Sequence, residues 1–246
     1  MMYDDSDKTK VAGYTRKEMM QMYKQAKEDF EIFRASWTEQ LMWLLPHRAK
    51  HLLGSQVDKV KGYPIFDGTH LLAHRSFVAG FLEGNTSASR PWIRYAHPDK
   101  ERNRFLPNRE WLEKATTRAL SILSTSNFYD QAQNFYHDFG AVETGAHIFR
   151  KVGNNLHVYT LMPASYFVMN NALGEAEVLI REYSLTAPML VKHFGKKKDG
   201  KPDWSMFSKR VKELYDANDY KTKIEVIEFI ARNKDFNFNK TIGVLS

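Results

Sequence analysis

The chain has 246 residues with no cysteine, 43% hydrophobic and 13% aromatic. That composition belongs to a folded protein with a buried core, and it excludes disulfides, thiolate metal sites and cysteine nucleophiles together. With 36 Lys and Arg against 29 Asp and Glu, the formal net charge of +7 is a modest excess that suits contact with a polyanion without requiring it.

The elements follow in chain order. Residues 1–14 read as a mobile arm; Met1 to Lys10 is polar and acidic, without the apolar core of a secretory signal. From Thr15 to Pro46, the residues Met19, Tyr23, Ala26, Phe30, Phe33, Trp37, Leu41 and Leu44 recur at helical spacing. This predicts one long amphipathic helix, stopped by Pro46, that needs a partner surface in its own domain or in a neighbouring subunit. A loop with Gly54, Gly62 and Pro64 leads to a second helix, whose period is set by Leu71, Leu72, Phe77, Val78, Phe81 and Leu82. Asp67 or Thr69 is placed to cap its start, and Gly84-Asn85 to end it in the left-handed conformation. The run Ser87-x-x-Arg90-Pro91-Trp92-x-Arg94 then predicts a short strand reaching Tyr95.

His97 to Arg104 reads as a charged loop ending near Pro107. A third helix is expected over about Asn108 to Ser124, with Trp111, Leu112, Ala115, Ala119 and Ile122 on one side. Ser124 to Asn127 stops it and caps a fourth helix to about Glu143, which uses Phe128, Ala132, Phe135, Tyr136 and Phe139. Trp37, Trp43, Trp92 and Trp111, with Phe128 and Phe135, are expected to build the helical core, and any exposed remainder of that surface implies oligomerisation. At Gly145 the period changes to two. Strands are expected over Ala146 to Arg150, Leu156 to Thr160, Tyr166 to Met169 and Ala176 to Tyr183, with turns at Gly153-Asn154-Asn155 and at Asn170 to Gly174. Together they predict an antiparallel meander of about four strands. Thr186 caps a short helix ending at Gly195, Lys196 to Pro202 is a surface turn, Asp203 to about Ala217 is helical, and Lys223 to Ala231 is a strand. Residues 233–246 form an irregular tail. No window approaches the roughly eighteen continuous apolar residues of a membrane span, so no membrane contact is expected.

Little in the chain is arranged for catalysis. His70 and His74 stand four apart on a helix, as two metal ligands would, but Leu71 occupies the place where a zinc protease has Glu, and two polar residues on a helix flank is the simpler reading. His137-Asp138 with Glu143 and His147 offers acid and base groups near a helix end, without a nucleophile motif. Nucleotide-binding glycine loops are missing. Lys196, Lys197, Lys198 and Lys201 could contact DNA phosphates, although such a run is more often a solvated turn. Arg90, Trp92 and Arg94 could form a stacking platform for bases; a core tryptophan with its arginines at a subunit seam is the stronger reading.

The order of segments carries a resemblance. Phe33-Arg34-x-x-Trp37-x-Glu39-Gln40 and Leu44-Leu45-Pro46 are followed by Phe66-Asp67-Gly68-Thr69, then Arg90-Pro91-Trp92, Trp111-Leu112 and Ser126-Asn127-Phe128-Tyr129. Phe139-Gly140-x-x-x-Thr144-Gly145, Met162-Pro163-x-Ser165-Tyr166 and Arg181-Glu182-Tyr183-x-Leu185-Thr186-Ala187 through His193-Phe194-Gly195 complete it. Over roughly residues 15 to 231 this succession resembles the N-terminal, wing-containing half of the portal (head-to-tail connector) proteins of short-tailed bacteriophages. Gly68, where a serine or other small polar residue is expected, and the polar Glu83-Gly84-Asn85 are departures.

The resemblance implies an α+β fold in which long amphipathic helices pack against an antiparallel β-meander. The helical part of the wing falls at 15–145, the meander with short helices at 146–232, and the tail at 233–246 near the entry to a stem; the expectation stays open between a fragment, a split product whose companion polypeptide supplies the stem, and a reduced portal. It further implies a dodecameric ring of identical subunits at one capsid vertex, through which genomic double-stranded DNA is packaged and ejected. Partners would be the major capsid protein, a tail adaptor protein and, during packaging, terminase. The place is the virion, with host cytoplasm during assembly, and no enzyme activity, metal or cofactor is implied. Phe33, Trp37, Arg90, Trp92 and Arg94 are the residues expected at subunit contacts. The alternatives are a basic nucleic-acid-binding protein that forms no ring and a hydrolase built around His137 and His147.

Overall fold

The computed structural model describes residues 13–49, 52, 67–195, 197–198, 201–231 and 243–245, with backbone alone at 197, 198, 201, 206 and 243–245. Most of the arm, the loop with Gly54, Gly62 and Pro64, Phe66, and much of the tail lie outside those residues. The fold is α+β, as the sequence implies. Its elements are α1 (Arg16–Leu44), α2 (Thr69–Asn85), α3 (Lys100–Arg104), α4 (Leu106–Thr125), α5 (Phe128–Val142), β1 (His147–Val152), β2 (Asn155–Thr160), β3 (Tyr166–Asn170) and β4 (Ala176–Thr186). Then come α6 (Ala187–Phe194), β5 (Lys197–Lys198), β6 (Lys201–Pro202), α7 (Lys209–Asp216), β7 (Lys223–Ala231) and β8 (Gly243–Leu245). The chain divides into two compact units: one takes the described residues up to Ile32 and those from Ser165 on, the other Phe33 to Ala164.

In the first unit an antiparallel sheet runs in the order β3-β4-β7-β8. Strand parity sorts its side chains onto two faces. Val178, Ile180, Phe229 and Ala231 pack with Phe167, with Tyr14 just before α1, and with Met19 and Ala26 of α1. Tyr183, Leu185, Ile224 and Val226 pack instead with Ala187, Leu190 and Val191 of α6 and Val211 of α7. Arg181 and Glu228 are register partners and form a buried ion pair between the central strands.

In the second unit, Val78 of α2, Phe128, Ala132 and Tyr136 of α5, and Val158 of β2 form the core. The β1–β2 hairpin turns at Gly153, which has φ +61 while Asn154 keeps a negative φ, the pattern of a type II′ turn. Two polar side chains of α5 and its entry dock the hairpin. The Asn127 amide donates to the Val158 carbonyl at 2.8 Å and accepts from the Val158 N–H at 2.8 Å. Gln131 accepts from the Thr160 N–H at 3.1 Å, and the Thr160 hydroxyl donates back to the Gln131 carbonyl at 3.0 Å.

Several local expectations are corrected. Arg90 to Tyr95 forms no strand and pairs in no ladder; its Tyr95 N–H is taken by the Thr116 hydroxyl of α4 at 3.0 Å. The four expected strands exist but do not form one meander. They separate into the β1–β2 hairpin and the β3–β4 pair, and β7 adds to the latter. The link between β2 and β3 contains Pro163, which has no N–H, and Ala164 at φ +63. Trp111 is 68% exposed rather than in the core, and α4 buries none of its residues. Asn127 does not cap α5 with its side chain; Ser126 Oγ accepts from the Phe128 N–H instead. No left-handed residue ends α2. The predicted Asp203 helix is a 3-10 turn at Trp204–Met206 followed by α7, which Ser208 caps.

Candidate functional site

The residues expected at subunit contacts fall on two elements. Arg90, Trp92 and Arg94 share the irregular segment after α2. Pro91 fixes φ and cannot donate, which suits a segment that runs alongside a helix without joining a sheet. Trp92 turns inward: its indole stacks on Phe128 with centroids 5.7 Å apart and planes at 13°, and its Nε1–H donates to the Tyr129 hydroxyl at 3.3 Å. Arg90 and Arg94 are left exposed. The Arg90 guanidinium reaches back to the end of α2, donating to the Glu83 carbonyl at 2.8 Å and pairing with its carboxylate at 3.2 Å. Phe33 and Trp37 stand one turn apart on α1, Phe33 54% exposed and Trp37 partly buried.

Beside the irregular segment lies an open groove of about 480 Å³ lined by Pro91, Trp92, Ile93, Arg94, Glu113, Thr116 and Thr117. It continues along α4 over Glu110, Lys114 and Arg118, a strip of both charge signs. Phe105 at 62% and Trp111 at 68% exposure add large apolar rings to the same helix and its entry. The helix has no residue in the buried class, although Leu123 packs against the core of its unit. The sequence placed Trp111 inside because periodicity reports an apolar face and not what covers it.

The polar groups do not converge on a catalytic centre. Among the described residues, no group of three or more His, Cys, Asp or Glu could hold a metal ion. His70 packs edge-on against Trp43, while His74 turns to His137 with 3.1 Å between Nε2 and Nδ1. Burial pushes both of those imidazoles below their ordinary value, and the charges around His137 push it further. Asp138, wholly buried, pairs with Arg48; desolvation outweighs the guanidinium and drives its carboxyl up to about 7. His147 lies elsewhere, stacked on Phe135 at 4.7 Å, and Glu143 is an exposed left-handed residue ending α5. These acid and base groups are thus dispersed over separate neighbourhoods. Their one legible signal was Asp138 itself, an acid on the apolar stripe of α5 that must find a partner.

The lysine run is described only in part. Lys197–Lys198 pairs in backbone with Lys201–Pro202, Lys196 lies outside the described residues, and the side chains of Lys197, Lys198 and Lys201 do as well. No helix among the described residues is long and apolar enough to cross a membrane.

Comparison with known proteins places the whole described core in one family. The portal protein of Salmonella phage epsilon15 is 28% identical over 228 residues, covering 91% of this chain and 39% of that protein. A probable portal protein of Bordetella phage BPP-1 is 27% identical over 205 residues, covering 81% of this chain and 36% of its own length. The chain therefore spans less than two fifths of the length of these relatives. The model of the bacteriophage head to tail connecting proteins matches residues 16–242, nearly everything from the start of α1 to β8, and the chain belongs to that family.

Proposed function

We propose that this chain builds the wing of a phage portal, a ring of identical subunits, dodecameric in the family resemblance, at one vertex of the capsid. Genomic double-stranded DNA is packaged and ejected through such a ring. The work is structural: the subunits shape a channel and match capsid to tail, and a separate terminase supplies the packaging energy. The capsid protein, terminase and tail adaptor meet the assembled ring, in host cytoplasm first and in the virion afterwards.

The observation that carries this reading is the uncovered surface of α4. Phe105 and Trp111 are exposed beside a mixed-charge groove, as a head-to-tail contact between identical neighbours requires. Arg94 stands at the rim of that groove, and Phe33 offers a second exposed ring on α1. Trp92 takes part through packing, holding the irregular segment on α5. The contact residues are thus Phe33, Trp37, Arg90, Trp92 and Arg94, with α4 added. Lys196, Lys197, Lys198 and Lys201 would supply any direct contact with DNA.

Native mass spectrometry of the full chain with and without Trp111→Glu tests this. A many-copy ring that the substitution dissolves is expected. A monomer in both forms, with DNA affinity that falls steeply with salt, would favour a nucleic-acid-binding protein instead.

A further inference from the structure

Two imidazoles facing each other in a protein interior hold their contact only in certain proton states. His74 of α2 is 7% exposed and lies 3.1 Å from His137 of α5, with ring centroids 5.1 Å apart. The helices are close here. A Cβ on Gly140 would stand 2.7 Å from the Phe77 ring and 3.1 Å from His74 Cε1. Between neutral rings one N–H donates and the other nitrogen accepts. With one proton added, a donor and an acceptor still face each other. With two, both facing nitrogens are donors and both rings are cations.

The surroundings make added charge unwelcome. Arg75 follows His74 on α2, and His47 and Arg48, in the turn after α1, act on His137 together with Arg75. On α5 the acid beside His137 is Asp138, already engaged by Arg48. His70, one turn before His74, is turned to Trp43.

We propose that the His74–His137 pair is a two-proton latch, closing the α2–α5 crossing while its rings share one hydrogen bond and releasing it in mild acid once both are protonated. Burial holds both rings below the ordinary histidine value of 6.5 in the closed state. Once released, the rings regain that value and take protons the closed state refuses. Closure is complete above about pH 6.5 and is lost as the pH falls below it. Such a device would let an acidic compartment or medium loosen the helical unit without unfolding the sheet.

The test is hydrogen exchange on the full chain from about pH 7.5 to about pH 5, corrected for the intrinsic exchange rate. Amides of α2 and α5 should lose protection with a slope between about tenfold and about a hundredfold per pH unit, for the one or two protons taken up on opening. Amides of β4 and β7 should keep theirs. The double variant His74→Gln, His137→Asn places an amide near each ring nitrogen without a titrating group, and should flatten the dependence. His147→Gln, which removes a partly buried imidazole of the same unit that stacks on Phe135, should leave the slope in place. Protection independent of pH, an equal loss in β4 and β7, or an unchanged slope in the double variant would overturn the latch. Should the double variant not fold, NMR titration of the two rings in the native chain decides. Titration in step with opening of α2 and α5 supports the latch, and ordinary titration without any opening refutes it.

Discussion

Trp92 and Phe128 stack with their planes 13° apart and their centroids 5.7 Å apart. The contact ties a segment with no ladder of its own to the helix at the centre of its unit. Trp92 is therefore a folding residue first, and in the proposed ring it would serve a subunit contact only through the segment it positions. Trp92→Ala should cost about 2 to 3 kcal/mol, below the figure for a fully buried ring because Trp92 is partly exposed. Trp92→Phe, which keeps the stack and loses only the bond to Tyr129, should cost less than half of that. Urea denaturation of the two variants measures the difference.

Trp111 is the opposite case. At 68% exposure it contributes little to the isolated subunit, so Trp111→Glu should leave stability within about 0.5 kcal/mol. Assembly should nevertheless be lost, since a charge would be placed in the contact. Paired denaturation and native-mass measurements separate the two effects; a destabilised variant would mean that Trp111 is covered within its own chain.

Asn127 grips both backbone groups of Val158. Asn127→Ala strands a donor and an acceptor at a buried position and should cost about 1 to 3 kcal/mol. Faster hydrogen exchange at Val158 and along β2 is the local signature to look for. Unchanged exchange there would mean that the hairpin is held by its apolar contacts alone.

Asp138 titrates against the histidines. Its carboxyl is raised in the folded chain from 3.8 to about 7, so the folded state holds a proton that the unfolded state releases. Stability from this group is full below about pH 4 and is lost as the pH rises through about 7. Asp138→Asn should remove that loss, steepening the net fall of stability in acid that the histidines cause. It also breaks the pair with Arg48, at a cost of about 3 kcal/mol near neutrality. Denaturation series at several pH values, native against variant, check both the sign and the offset.

What the sequence made legible was periodic and local. The spacing from Met19 to Leu44 outlines α1, the Phe128 to Phe139 stripe outlines α5, and the alternation over Lys223 to Ala231 matches β7. Long-range partners were less legible. Arg90 to Tyr95 has the composition of a strand, but whether it pairs depends on a neighbour, and its neighbour is the Thr116 side of α4. Ala164 carries no mark in the sequence of the left-handed conformation it adopts between β2 and β3. Arg90 and Arg94 were expected at the surface and lie there, whereas Trp111 was expected in the core and does not. An apolar side chain on an amphipathic helix looks the same in sequence whether its own core or another subunit covers it.

Native mass of the purified full chain tests the ring most directly. A single species of many identical copies, reduced to monomer by Trp111→Glu without loss of fold, is the result predicted. A monomer at every concentration tried, unaffected by that substitution, would contradict the proposal that this surface joins subunits into a ring.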